Sequence, residues 1–128
     1  MQFSGIHHIA LNVSDLDRSE NFYTDVLGLK VAKRFSKGLR HLMLKAGSSY
    51  IALFEVPDLE IESHIVELSQ NGYMHFAFNI EKQQFQLAVQ KLRNNNINIG
   101  EGPLRRGDGN SVYFQDPDYN HLEIHCDD

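Results

Sequence analysis

The sequence has little of what several functional classes require. Its single cysteine, Cys126, excludes an internal disulfide framework and a metal site built of thiolates alone. No apolar run approaches the roughly 18 residues of a membrane-spanning helix. Lys and Arg number 12 against 17 Asp and Glu, a formal charge of −5. The chain therefore lacks the basic excess that drives non-specific binding to nucleic acid or anionic lipid. The opening stretch, MQFSGIHHIA, has neither the basic leader nor the long apolar core of a secretion signal, so a cytoplasmic protein is expected. There is no low-complexity segment, no linker and no long charge run, and a single domain over 1–128 is expected. With 41% hydrophobic and 23% charged residues the composition is that of a globular chain long enough to bury a real core. What the sequence does have is seven histidines outside any histidine-rich tract, so each is judged by its place.

Period-two alternation of Ile9, Leu11 and Val13 against His8, Ala10 and Asn12 predicts a half-buried strand over about 3–13. Ser14 with Asp17 approximates a capping box, and Phe22, Val26 and Leu27 follow with helical spacing. Gly28 suits a left-handed helix stop. Strand-like runs come next at Leu29–Phe35, Leu39–Lys45 and Ser49–Val56, separated by glycine-bearing turns. Residues 57–72 are polar and read as a connector with a helical turn. Then the opening pattern returns: Met74-His75-Phe76-Ala77-Phe78-Asn79-Ile80 restates His7-His8-Ile9-Ala10-Leu11-Asn12-Val13 at an offset of 67 residues. A helix bearing Phe85, Val89 and Leu92 follows and ends at Asn94-Asn95-Asn96. Strands at about 97–101, 110–115 and 120–126 complete the copy. The expectation is an α+β fold of two modules, 1–56 and 73–128, with chemistry between the copies.

In each opening strand the apolar set faces the helix, which leaves His8, Ala10 and Asn12, and His75, Ala77 and Asn79, on the other side. In the last strand Leu122 and Ile124 pack inward, while His121, Glu123 and His125 point away. If these strands curve around one cavity, His8, His75 and Glu123 converge. Two imidazoles and a carboxylate with open positions form a facial triad for a divalent transition metal, Mn, Fe, Zn or Ni. Standing alone, a strand histidine is more often structural than a ligand. Here the repeat gives His8 and His75 equivalent places, which favours the ligand reading. His7 should face the other way, His41 and His64 have no partner pattern and are expected on the solvated surface, and Cys126 is expected as a small buried or terminal residue.

At these residues the sequence resembles the vicinal oxygen chelate superfamily, which includes glyoxalase I, fosfomycin-resistance enzymes, bleomycin-resistance proteins and extradiol dioxygenases. The matching stretches are His8-Ile-Ala-Leu-Asn-Val-Ser-Asp15, Ser19-Glu-Asn-Phe-Tyr23, Val26-Leu-Gly-Leu29, His75-Phe-Ala-Phe-Asn-Ile80, and Tyr113-Phe-Gln-Asp-Pro-Asp118 with Asn120 and Leu122-Glu123. The resemblance implies two βαβββ modules forming a cupped mixed sheet around one metal, usually in a homodimer, with His8, His75 and Glu123 as ligands. Glyoxalase I carries a fourth ligand, a Glu on the last strand of the first module. Ala52 takes that place here, and Glu55 has the wrong parity unless a bulge intervenes. The three-ligand groups remain. Ser111-Val-Tyr113-Phe followed by Asp116-Pro117-Asp118 looks most like the fosfomycin-resistance group, in which the residues equivalent to Ser111 and Tyr113 contact the phosphonate.

On this reading the chain is a divalent-metal-dependent enzyme acting on a small, anionic, oxygen-bearing substrate by addition, ring opening or isomerisation. Ser111, with Arg105 or Arg106 from a glycine-rich loop, orients the substrate, and Tyr50 and Phe54 form apolar walls. Tyr113 and His125 are the candidate catalytic residues. Two departures count against fosfomycin itself: Pro103 stands where the group has a loop Lys, and its Arg-bearing tail has no counterpart up to Asp128. An extradiol ring-cleaving dioxygenase is the first alternative. A metal-free drug-binding protein of bleomycin-resistance type is the second, disfavoured because the ligands are intact.

Overall fold

A computed structural model describes residues 1–60 and 74–128, so His64 and most of the expected connector lie outside the described residues. The chain divides into two compact units, Met1–Glu60 and Ile61–Asp128. Each repeats one plan. The first unit runs β1 (His8–Val13), α1 (Leu16–Asn21), β2 (Lys30–Phe35), β3 (His41–Ala46) and β4 (Ser49–Glu55). The second runs β5 (Phe76–Asn79), α2 (Lys82–Asn94), β6 (Ile99–Arg106), β7 (Gly109–Gln115) and β8 (His121–Asp127). Each unit holds a four-stranded mixed sheet, ordered β1-β4-β3-β2 in one and β5-β8-β7-β6 in the other. First and last strands pair in parallel and the rest antiparallel, which is the βαβββ arrangement expected from the repeat.

The cores follow the alternation. In the first unit Val13, Leu16, Phe22, Tyr23, Leu42, Leu44, Ile51 and Leu53 are buried. In the second, Phe85, Val89 and Leu92 from α2 are buried, as are Val112, Phe114, Leu122, Ile124 and Cys126 from β7 and β8. The apolar face of each sheet is thus spent on its helix, and the other face is left for polar work.

Three local details depart from the sequence reading. The helix cap is Asp15, not Ser14: Asp15 is extended, with φ −139° and ψ 106°, and its Oδ1 accepts from the Arg18 backbone N–H at 3.0 Å. Ser14 instead accepts from the Arg18 guanidinium at 2.8 Å. The helix then widens into a π turn over Phe22–Val26, with the Leu27 N–H donating to the Phe22 carbonyl, before Gly28 at φ +77° stops it. Finally, β6 runs on to Arg106, so Arg105 and Arg106 sit in a strand rather than in a glycine-rich loop. The turn beyond them is only Gly107-Asp108, with Gly107 at φ +55°.

Pairing register settles the place of Glu55. It lies opposite Val13, on the helix side, where Oε2 accepts from the Leu16 N–H at 2.9 Å and from Arg40 at 3.0 Å. A carboxylate at the first turn satisfies an orphan donor and the positive helix end together. We expect Glu55→Ala to lower unfolding free energy by about 1–2 kcal/mol in urea titrations while leaving affinity for divalent metal unchanged; a lost metal site in this variant would refute the placement.

Candidate metal and anion site

The faces of the two sheets turned away from the helices are equivalent by register. Ala10 pairs with Ala52 in the first unit, and Ala77, 67 residues after Ala10, pairs with Glu123 in the second. Ala52 is therefore the counterpart of Glu123, and no acidic side chain occupies that place in the first unit. The same logic makes Phe54 the counterpart of His125 and His41 that of Ser111, since His41 pairs with Phe54 and Ser111 with His125.

In the second unit β7 and β8 place Ser111, Tyr113, Glu123 and His125 on one face, where hydrogen bonds join Ser111 to Glu123 and His125. Glu123 is only 8% exposed. Its Oε2 lies 3.1 Å from His75 Nε2, and its Oε1 accepts from the Ser111 hydroxyl at 2.5 Å, a length typical of a charge-assisted O–H to carboxylate bond. Ser111 Oγ is also 2.8 Å from His125 Nδ1, and His125 Nε2 lies 3.2 Å from Asp127 Oδ1. The His75 ring stands edge-on to Tyr113 at 5.9 Å. Tyr113 Oη takes a hydrogen bond from Arg106 Nε at 3.3 Å, and this partner holds the Arg106 pKa above its ordinary value.

Donor chemistry and spacing both fit a divalent cation. Two donors at roughly 2.1 Å from one ion, at tetrahedral or octahedral angles, stand about 3–3.4 Å apart, and the His75 and Glu123 atoms are 3.1 Å apart. These two of the three expected ligands are brought together. The third, His8, belongs to the first unit, where it is exposed and its Nδ1 lies 2.9 Å from His7 Nδ1. Among the described residues no three His, Cys, Asp or Glu side chains gather as a metal site.

Of the two arginines, Arg105 is clasped by Asp128 through two hydrogen bonds at 2.5 and 2.8 Å, whereas Arg106 reaches Tyr113. In the first unit Tyr50 pairs with His8, and Phe54 with Asn12. Lys45 lies over the Tyr50 ring at 4.4 Å. His41 is not a freely solvated residue: it is stacked between Phe35 at 4.4 Å and Phe54 at 4.7 Å, with Nδ1 2.5 Å from the Leu39 carbonyl. Its place opposite Phe54 in an alternating strand was the available signal. Asp127 was missed as well, although one more step of the 121, 123, 125 alternation reaches it. The turn that leads into β8 is built on Asp116, whose Oδ1 accepts from the N–H groups of Asp118 and Asn120, both at 2.9 Å. Gly109 closes the far end of the hairpin: a Cβ there would run into the Cys126 carbonyl and stand 2.9 Å from the His125 ring.

Residues 5–124 match the family model of the Glyoxalase/Bleomycin resistance protein/Dioxygenase superfamily. The metallothiol transferase FosB of Staphylococcus saprophyticus is 37% identical over 121 residues, spanning 94% of this chain and 75% of the relative. The glutathione transferase FosA of Serratia marcescens is 29% identical over 120 residues, 94% of this chain and 79% of that protein. Among solved structures, a glyoxalase/dioxygenase from Nostoc punctiforme superimposes with a TM-score of 0.75 at 30% identity, covering 98% of this chain and 92% of the other. A variant of the fosfomycin resistance protein FosX from Listeria monocytogenes, complexed with Mn(II) and 1S,2S-dihydroxypropylphosphonic acid, has the same fold, with a TM-score of 0.79 at 20% identity over 99% of this chain and 95% of that one.

The Arg105 guanidinium, hydrogen-bonded to Asp128, holds that carboxyl below the ordinary aspartate value. A depressed folded pKa means the pairing is fully present above the unfolded value and is lost as pH falls through the folded one. An NMR titration should give Asp128 a midpoint below that of Asp in a model peptide, and Arg105→Gln should raise it toward that value.

Proposed function

The chain belongs to the glyoxalase/bleomycin resistance/dioxygenase superfamily, as a metal-dependent enzyme of its fosfomycin-resistance-like group, and we propose that it adds a thiol to a small anionic electrophile with a strained or activated C–O bond. In that reaction the S–C bond forms as the C–O bond breaks, and the thiol proton ends on the released oxygen, which remains in the product as a hydroxyl. The observation that carries this reading is the juxtaposition in the second unit of a metal-donor pair, His75 Nε2 and Glu123 Oε2 at 3.1 Å, with the Arg106–Tyr113 pair. The names of the FosB and FosA relatives, both thiol transferases, support the thiol as co-substrate.

His75, Glu123 and, by its equivalence to His75 in the repeat, His8 are the proposed ligands of one divalent cation, with Mn(II) favoured among Mn, Fe, Zn and Ni by the FosX relative. Bound there, the cation supplies a Lewis acid for the oxygen that gains negative charge. The rest falls to this chain's own groups. Arg106 has only donors to offer, so Tyr113 Oη accepts from it, and the tyrosine's own O–H is left to donate to an anionic substrate oxygen. The remaining guanidinium N–H groups of Arg106 add charge-assisted donors to the same anion. Tyr50 and Phe54 are the proposed apolar walls, and the His41 ring is stacked on the face of Phe54. A homodimer is the proposed state, as the sequence resemblance implies, and the cytoplasm is the proposed location.

Mass spectrometry of reactions containing Mn(II), a low-molecular-weight thiol and a phosphonate epoxide such as fosfomycin tests the proposal. The expected product is a 1:1 thiol adduct whose formation stops with chelator. His75→Ala and Glu123→Ala should each lose stoichiometric metal and about a thousandfold or more in kcat/KM, as loss of several kcal/mol of Lewis-acid stabilisation requires. His8→Ala should lower metal content and activity together. Undiminished turnover in chelator would overturn the metal-dependent reading.

A further inference from the structure

The Ser111 hydroxyl has one proton and two claimants. It lies 2.5 Å from Glu123 Oε1 and 2.8 Å from His125 Nδ1, and the serine is wholly buried. A carboxylate can only accept, so the proton goes to Glu123, and the hydroxyl lone pair takes the Nδ1–H of His125. That leaves the two oxygens of Glu123 with different tasks. Oε1 is tied to β7 through Ser111, and Oε2 stands beside His75 Nε2. Asp127 Oδ1 lies 3.2 Å from His125 Nε2, on the far side of the ring. The four side chains Ser111, Glu123, His125 and Asp127 come from two neighbouring strands in fixed register, Ser111 opposite His125, so the chain of contacts follows from the pairing itself.

We propose that Ser111, backed by His125, is a positioning residue that divides the Glu123 carboxylate, locking Oε1 to the fold and presenting Oε2 alone as a donor. This rests on the reading of His75 and Glu123 as metal ligands, and it departs from the expectation that Ser111 contacts the substrate. The serine is wholly buried, and its single proton is already committed to Glu123. Without the Ser111 hydroxyl, Oε1 is released, the carboxylate can rotate or close on the cation with both oxygens, and one open coordination position is lost. Hydrogen bonds from partners to ligating carboxylates commonly govern metal affinity by 10–100-fold, about the effect expected here.

The experiment is calorimetric titration of Mn(II) into apo-protein, together with Co(II) absorption spectra, for wild type, Ser111→Ala, Ser111→Thr, His125→Ala and Glu123→Ala. Glu123→Ala reports on the ligand reading: if it binds Mn(II) as wild type does, that reading fails and takes the positioning role with it. Given a lost site in Glu123→Ala, the role predicts that Ser111→Ala weakens Mn(II) binding about 10–100-fold and shifts the Co(II) spectrum toward a higher coordination number. Ser111→Thr, which keeps the hydroxyl, should restore most of the affinity. His125→Ala should fall between wild type and Ser111→Ala, and it serves as the decisive variant if Ser111→Ala does not fold. A Ser111→Ala protein with wild-type Mn(II) affinity and an unchanged Co(II) spectrum, beside a Glu123→Ala protein without metal, would overturn the positioning role and leave the ligand assignment standing.

Discussion

A carboxylate taken almost out of water is the constraint around which the second unit is arranged. An ionised group in that setting is tolerated only with donors on both oxygens, and the sheet supplies them: a hydroxyl from β7 on one side and an imidazole preceding β5 on the other. Among the described residues no buried side-chain polar atom is left without a partner. Everything that fixes those donors is ordinary β-sheet register. Parallel pairing of β5 with β8 sets His75 near Glu123, and antiparallel pairing of β7 with β8 sets Ser111 opposite His125.

The duplication makes the second unit's polar network easier to see, because the first unit is a copy of the scaffold without that network. Where the second unit has Glu123, His125 and Ser111, the first has Ala52, Phe54 and His41. The polar network is replaced by a stack of Phe35, His41 and Phe54 rings. One copy therefore carries a buried, hydrogen-bonded carboxylate, and the other an aromatic stack in the same place. The acidic residue next in sequence, Glu55, was turned to the helix side and works as a cap. Such a division of labour is open to a duplicated unit because the apolar face alone specifies its fold.

Much of this was legible in the sequence for one reason. Period-two alternation assigns a face to every strand residue, and a repeat at an offset of 67 shows which faces correspond. That placed Glu123, His75, Ser111, Tyr113 and His125 on one side without coordinates. Strand lengths were less legible. The run from Ile99 to Arg106 carries glycines and Pro103, which read as a loop, but β-bulges absorb them and keep β6 paired with β7. Stacking of His41 was legible only in part, because alternation gives its face but not the cross-strand partner that completes the contact. The proton logic at Ser111 was beyond reach too, since it requires knowing that one hydroxyl meets two partners.

Gly109 gives the hairpin an evolutionary consequence. Any side chain there would strike the Cys126 carbonyl and press on the His125 ring, so the position is closed to ordinary mutational drift. Positions on the first unit, where Tyr50 and Phe54 are only half-buried, carry no such restriction. Side-chain exchange is then open on the first unit's last strand and closed at the hairpin end that abuts the strand bearing Glu123.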